Sequence, residues 1–205
     1  MNAPATNAAP ERQPPQRDDL PRPDFQRRLV FYPDRILRTV CQPVETFDSA
    51  LRDLVAEMLF LMRHHRGIGL AAPQVGVPQR LMVSCLEEHP LVLANLEVKD
   101  CGTPRDFVEG CLSLPGVQVN VRRPERIRVT GYDGYGQRRS FGAVGLWARV
   151  LQHELDHLNG VLICDYHHPE FEQCTHCPLE LPTELLEERK QQSRPRTPSQ
   201  LRRNH

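Results

Sequence analysis

Two histidines four residues apart, His153 and His157, restrict the fold more than any other feature of this chain. Residues four apart lie one above the other on a helix. The stretch from about Gly145 to Leu158 repeats its apolar residues at helical spacing and runs into Asn159-Gly160, a common helix stop. On such a helix Leu146, Val150, His153 and His157 share one stripe. Imidazoles aimed into an apolar wall need a partner, and two on one helix face can grip a metal ion, with Glu154 beside it. A charged, solvated helix face is the bland alternative, and it leaves that shared stripe unexplained.

Two histidines leave a catalytic metal one protein ligand short. Downstream stand His167, His168, Glu170 and Glu172, which a metallopeptidase would use. Upstream stands Cys111, in Glu109-Gly110-Cys111-Leu112-Ser113. A lone cysteine is by default a small buried hydrophobe, but a coordinated thiolate is a strong ligand. Gly110 lets the backbone approach a ligand, and Glu109, Ser113 and Pro115-Gly116 mark a polar, turning segment instead of a core strand. A third segment, Gly67 to Gly76, reads on spacing as a Gly-capped loop. Its small residues would let another chain lie flat on its backbone, and the Gln74 amide can donate two hydrogen bonds.

The remaining sequence builds one domain with tails. Residues 1–24 hold six of the 19 prolines and no Val, Ile or Phe, which predicts a disordered arm. A mitochondrial presequence is spoiled there by Glu11, Asp18, Asp19 and the prolines. Residues 25–168 are expected to form the catalytic domain, and 169–205 an atypical C-terminal tail with one short helix over 183–190. Leu51, Leu54, Val55, Met58, Leu61 and Met62 predict a helix capped by Asp48 and stopped by Gly67. Strands are expected over Arg80–Leu86, Leu91–Val98 and Val117–Arg122. Arg126–Tyr132 should pair through Asp133-Gly134 with a strand around Arg138–Phe141, and Val161–Cys164 reads as a last strand. The class is α+β, with small antiparallel sheets packed around a central metal-binding helix. The 26 basic and 26 acidic residues cancel, so no overall field draws the chain to DNA or an anionic membrane. No apolar run suits a membrane helix or secretory signal, and seven cysteines, an odd number, suit free thiols and metal ligation in a reducing cytoplasm.

The segments Gly67-Ile68-Gly69-Leu70-Ala71-Ala72-Pro73-Gln74, Glu109-Gly110-Cys111-Leu112-Ser113 and Gln152-His153-Glu154-Leu155-Asp156-His157-Leu158 resemble, in order, the three motifs of peptide deformylases. The likeness extends from Tyr32-Pro33-Asp34 to about Asp165. That resemblance implies Cys111, His153 and His157 as ligands of one divalent ion, Fe2+ in most of the family, with Zn2+, Ni2+ or cobalt able to take the same place. It implies a hydrolase that removes the formyl group from the N-terminal formylmethionine of nascent polypeptides and releases formate. Such an ion brings the pKa of water from about 15.7 toward 7. Glu154 would take the water's proton and pass it to the departing amine, while the Gln74 amide and the Leu112 backbone N–H would face the oxyanion. Ile68, Leu146 and Val150 are placed around the methionine side chain, and main chain near Gly69 and Gly110 along the rest of the peptide. Asp156 is expected to point away from the metal and accept a salt bridge.

The expected partners are N-formylmethionyl nascent peptides and the ribosome near its exit tunnel, with no DNA, no membrane and a monomeric chain. Two other functions stay open: a catalytically weak deformylase-like protein that binds nascent chains, and a His-Glu-x-x-His metallopeptidase. The chain departs from the family at Asn95-Leu96, where most members have Asn-Pro, and in the low acidity of residues 101–108. After Asp165 it carries His167-His168 and Cys174-Thr175-His176-Cys177, a candidate second zinc site.

Overall fold

The computed structural model describes residues 27–166. The expected arm at 1–24, the tail at 169–205 with its helix and its Cys174/Cys177 pair, and the four downstream ligand candidates all lie outside the described residues. Within them the class is α+β. Helix α1, Ser49–His64, begins where the Asp48 carboxylate accepts from Leu51 N–H, as its cap position predicts. Leu51, Leu54, Met58, Leu61 and Met62 bury one face of it against Leu70, Val75, Leu81 and Val83.

Seven strands come next, β1 (Gly69–Ala71), β2 (Leu81–Leu86), β3 (His89–Asp100), β4 (Pro104–Cys111), β5 (Leu114–Pro124), β6 (Arg126–Tyr132) and β7 (Arg138–Val144), and then helix α2, Gly145–Leu158. Five of them form an antiparallel sheet in the order β1-β2-β3-β6-β7, and β4 and β5 form a separate hairpin. Helix α2 touches strands of both sheets, so the segment carrying His153 and His157 lies between them. Its apolar side, Ala148, Leu151 and Leu158, packs on Met82, Leu93, Leu96, Ile127 and Val129 of the large sheet. No described helix is long and apolar enough to cross a membrane.

Three local expectations are corrected. The segment around Glu109-Gly110-Cys111 is the end of strand β4, paired with β5, and the chain turns only after Cys111. Residues 104–108 are exposed on both faces of a two-stranded ribbon, so no alternation marked them as a strand. Val161–Cys164 is no strand: Ile163–Tyr166 winds as a 3₁₀ turn, with Asp165 Oδ2 accepting from Leu162 N–H at 2.7 Å. The Gly67–Gly76 loop contains β1 and a 3₁₀ turn, Ala72–Val75, that Gly76 closes at φ +80°. Asn95 sits at a bulge: it adopts φ +53° where the β3–β6 register shifts, its amide oxygen accepts from Val44 N–H at 2.8 Å and its amide nitrogen donates to Val44 C=O at 2.9 Å.

Candidate metal centre

Helix α2 places His153 and His157 one turn apart, ring centroids 5.0 Å from each other. The β4–β5 hairpin brings Cys111 to them across 46 residues of sequence, its Sγ 3.2 Å from His157 Nε2. The three donor atoms lie within 4.8 Å of one another. At bond lengths of about 2.0 to 2.3 Å, two ligands of a tetrahedral ion stand roughly 3.3 to 3.6 Å apart, so the Cys111–His157 pair is already at that spacing and the other donors need to close by about 1 Å at most. One sulfur and two imidazoles suit zinc and the neighbouring divalent transition metals, not magnesium or calcium.

Glu154 is 3% exposed, and its Oε2, like His157 Nδ1, finds no hydrogen-bond partner among the described residues. Burial pushes the Glu154 carboxyl up to about 7, against the pull of His153 and Arg123. Burial likewise holds His157 well below the ordinary histidine value, with His153 and Arg123 adding to it. For His153 burial works downward too, but contacts with Cys111, Glu109 and Glu154 outweigh it and raise the ring to about 10.

A residue not assigned a role from sequence organises the centre. Glu109 receives Arg123 through two bonds of 2.8 and 3.0 Å and Arg149 Nη1 at 2.7 Å, and its Oε2 stands 3.0 Å from His153 Nδ1. Burial raises its pKa, but His153 and Arg123 reverse the effect and bring it to about 2. An ionised carboxylate can only accept, so His153 carries its hydrogen on Nδ1 and turns Nε2 to the ligand cluster. Arg123 reaches on to Asp156 at 2.8 Å, and the Tyr166 hydroxyl donates to the same carboxylate at 2.9 Å. Asp156 therefore faces Arg123 and away from the metal position, as expected. A signal for Arg123 was present: Val117, Val119, Val121 and Arg123 share the inward parity of β5, and an arginine on that side needs a carboxylate.

A cavity of about 520 Å³ opens onto this cluster. Cys111, Leu112, His153, Glu154 and Gln74 line its inner part, whereas His157 sits behind, 1% exposed and off the cavity wall. Ile68, Gly69, Gly110, Leu146 and Val150 line it too. Ile68 and Leu146, 41% and 49% exposed, belong to its rim, and Val150 is buried. Gln74 accepts from Ala71 N–H at 2.8 Å and donates to Ser113 Oγ at 3.1 Å and toward Cys111 Sγ at 3.6 Å. One of its two N–H groups thus points at the ligand cluster. Gly69 leaves room for the Glu154 carboxylate, since a Cβ there would stand within van der Waals distance of Glu154 Oε1 and force it aside, whereas one on Gly110 would meet only Val117 C=O at 3.8 Å. Arg149 links helix to hairpin, bonding Val121 C=O and Arg105 C=O at 2.9 and 2.8 Å with its guanidinium 5.2 Å from the Phe107 ring centroid.

The same arrangement of chain recurs in known proteins. The family model for polypeptide deformylase matches residues 26–172. Peptide deformylase of Dictyoglomus thermophilum is 45% identical over 132 residues, covering 64% of this chain and 86% of that one. Its Rhizobium meliloti counterpart is 46% identical over 144 residues, covering 67% and 83%. Among solved structures, the Synechococcus elongatus peptide deformylase in complex with actinonin superposes with a TM-score of 0.69 at 43% identity over 72% of this chain and 81% of that one. The Thermotoga maritima enzyme gives 0.68 at 39% identity over 70% and 98%. With the match spanning both sheets, both helices and every segment that lines the cavity, this chain belongs to the polypeptide deformylase family.

Proposed function

We propose that the chain removes the formyl group from the N-terminal formylmethionine of nascent polypeptides, with Cys111, His153 and His157 holding one divalent ion. The observation that carries this reading is the approach of Cys111 Sγ to His157 Nε2, 3.2 Å, with Glu154 buried next in sequence and facing the same cavity. The ion we assign is Fe2+, and the same donors accept Zn2+ or Ni2+. When bound it supplies Lewis acidity that makes hydroxide available at neutral pH.

The protein's own groups do the rest. Glu154 takes the proton of the attacking water and returns it to the departing amine, a transfer typically worth 10²- to 10⁴-fold in rate, in round terms. A carboxyl that burial brings to about 7 is suited to both directions near neutral pH. The Gln74 Nε2 group and the Leu112 N–H are the donors for the oxyanion, each typically worth about 3 kcal/mol. Val150 floors the methionine slot, Ile68 and Leu146 flank its entrance, and main chain at Gly69 and Gly110 holds the peptide backbone, so the enzyme reads the first residue and few side chains beyond it. Glu109 keeps His153 in the tautomer that ligation needs. The substrate is met as it leaves the ribosome, in the cytoplasm, by a monomeric enzyme. Release of formate from formyl-Met-Ala-Ser by anaerobically purified protein tests the reading. Metal-loaded protein that releases none would overturn it in favour of a binding role.

A further inference from the structure

Arg66 stands at the mouth of the cavity as a cation without an anion. It leaves α1 in a left-handed backbone conformation, φ +58°, that turns the chain toward β1, and its N–H bonds Arg63 C=O at 3.0 Å. Its side chain is exposed, lines the cavity, and forms no ion pair among the described residues. The other charges on the cavity wall are committed: Arg149 and His153 to Glu109, and Glu154 to the buried floor. Glu87 and Glu88, on the turn of the β2–β3 hairpin that pairs with β1, are exposed and make no ion pair with it. The rim therefore carries one uncompensated positive charge.

Its distance from the chemistry is set by the chain. Gly69, where an added Cβ would meet Glu154, lies three residues from Arg66, a span of at most about 10 Å along the backbone. A peptide running along Arg66–Gly69 with its formyl end at Glu154 covers that span with about three residues of its own. We propose that Arg66 is a specificity-determining residue, favouring formylated peptides with Asp or Glu at the second or third residue after the methionine. This inference rests on the deformylase reading and adds a substrate class to it.

The test compares kcat/KM of the metal-loaded enzyme for formyl-Met peptides bearing Glu, Gln or Lys at each of those two positions, at low salt. The Gln peptide normalises any general loss of activity. Wild type is expected to favour Glu over Lys by about 2- to 5-fold at one of the positions, the range of an exposed ion pair. The preference should vanish in Arg66→Gln, invert in Arg66→Glu and collapse at molar salt. Gln and Glu bear the same left-handed backbone cost as Arg, so the series changes charge and not conformation. An equal Glu-to-Lys ratio in wild type and both variants overturns the proposal while leaving the function intact. Formate from none of the peptides overturns the function, and the proposal with it.

Discussion

Replacing Gly69 with alanine separates stability from chemistry. The added Cβ would lie 2.3 Å from Glu154 Oε1, 3.0 Å from its Cδ and 2.9 Å from Val150 Cγ1. Non-bonded carbon contacts settle near roughly 3.5 to 4.0 Å, so the carboxylate must retreat by about 1 Å. The end of a glutamate side chain swings at little cost, which leaves the stiff, β-branched Val150 as the source of strain. Overpacking of that kind costs about 1 kcal/mol at its lower end, a drop of about 2 to 5 °C in Tm for a domain of this size. Catalysis suffers more, since a displacement of about 1 Å in an aligned group typically costs on the order of 10²-fold, or about 2.7 kcal/mol of barrier. Formate release from formyl-Met-Ala-Ser, thermal unfolding and metal content should be measured together in Gly69→Ala. The expected result is a roughly hundredfold loss of kcat/KM with a small Tm shift and full metal content, because no ligand is among the atoms the new carbon meets. A variant that keeps more than half of the wild-type kcat/KM would refute the claim that Glu154 must sit against the Gly69 backbone.

The same geometry sets further outcomes. Glu154→Gln should lower kcat by about 10²- to 10⁴-fold and still bind metal, by elemental analysis; retained activity would remove Glu154 from the mechanism. Glu109→Gln removes one of the two carboxylates that answer the buried Arg123 guanidinium, with Asp156 remaining, so urea unfolding should show a loss of up to about 3 kcal/mol. A chelator competition on the same variant should show metal affinity weakened by about 10- to 100-fold, and unchanged affinity would contradict its hold on His153. Acid should act on the metal-free protein through the same carboxylate. Its pKa is about 2 in the fold against roughly 4.3 unfolded, so its contribution, of order 3 kcal/mol, is complete above about pH 4.3 and fades as pH falls toward 2. Urea midpoints taken across that window in wild type and Glu109→Gln should converge at the acid end; parallel curves would refute the assignment.

Short segments that record their structure by themselves were legible in the sequence. The two histidines, their helix and Glu154 come from spacing, and the Asp48 cap and the Asp133-Gly134 hairpin from local chemistry. Cys111 could be nominated, but nothing local distinguished it from the downstream candidates; its union with the helix is a tertiary fact, made by a hairpin whose first strand shows no alternation. Glu109 was legible only in part. Its place beside Cys111 was visible, but the segment was read as a turn and not as the end of a strand, and its partners Arg123, Arg149 and His153 come from two other elements. The turn at Ile163–Tyr166 was misread because Val161–Cys164 is apolar, whereas Asp165, bonded to Leu162 N–H and paired with Arg38, decides its conformation. Arg66 carried no signal at all: its importance lies in which neighbours do not answer its charge.

The account rests most heavily on sulfur ligation, and X-ray absorption at the metal edge of the zinc-loaded, active protein tests it most directly. The expected first shell holds one sulfur at about 2.3 Å and two nitrogens at about 2.0 to 2.1 Å, with the sulfur lost in Cys111→Ser. A shell of nitrogen and oxygen alone, in protein that still releases formate, would contradict it.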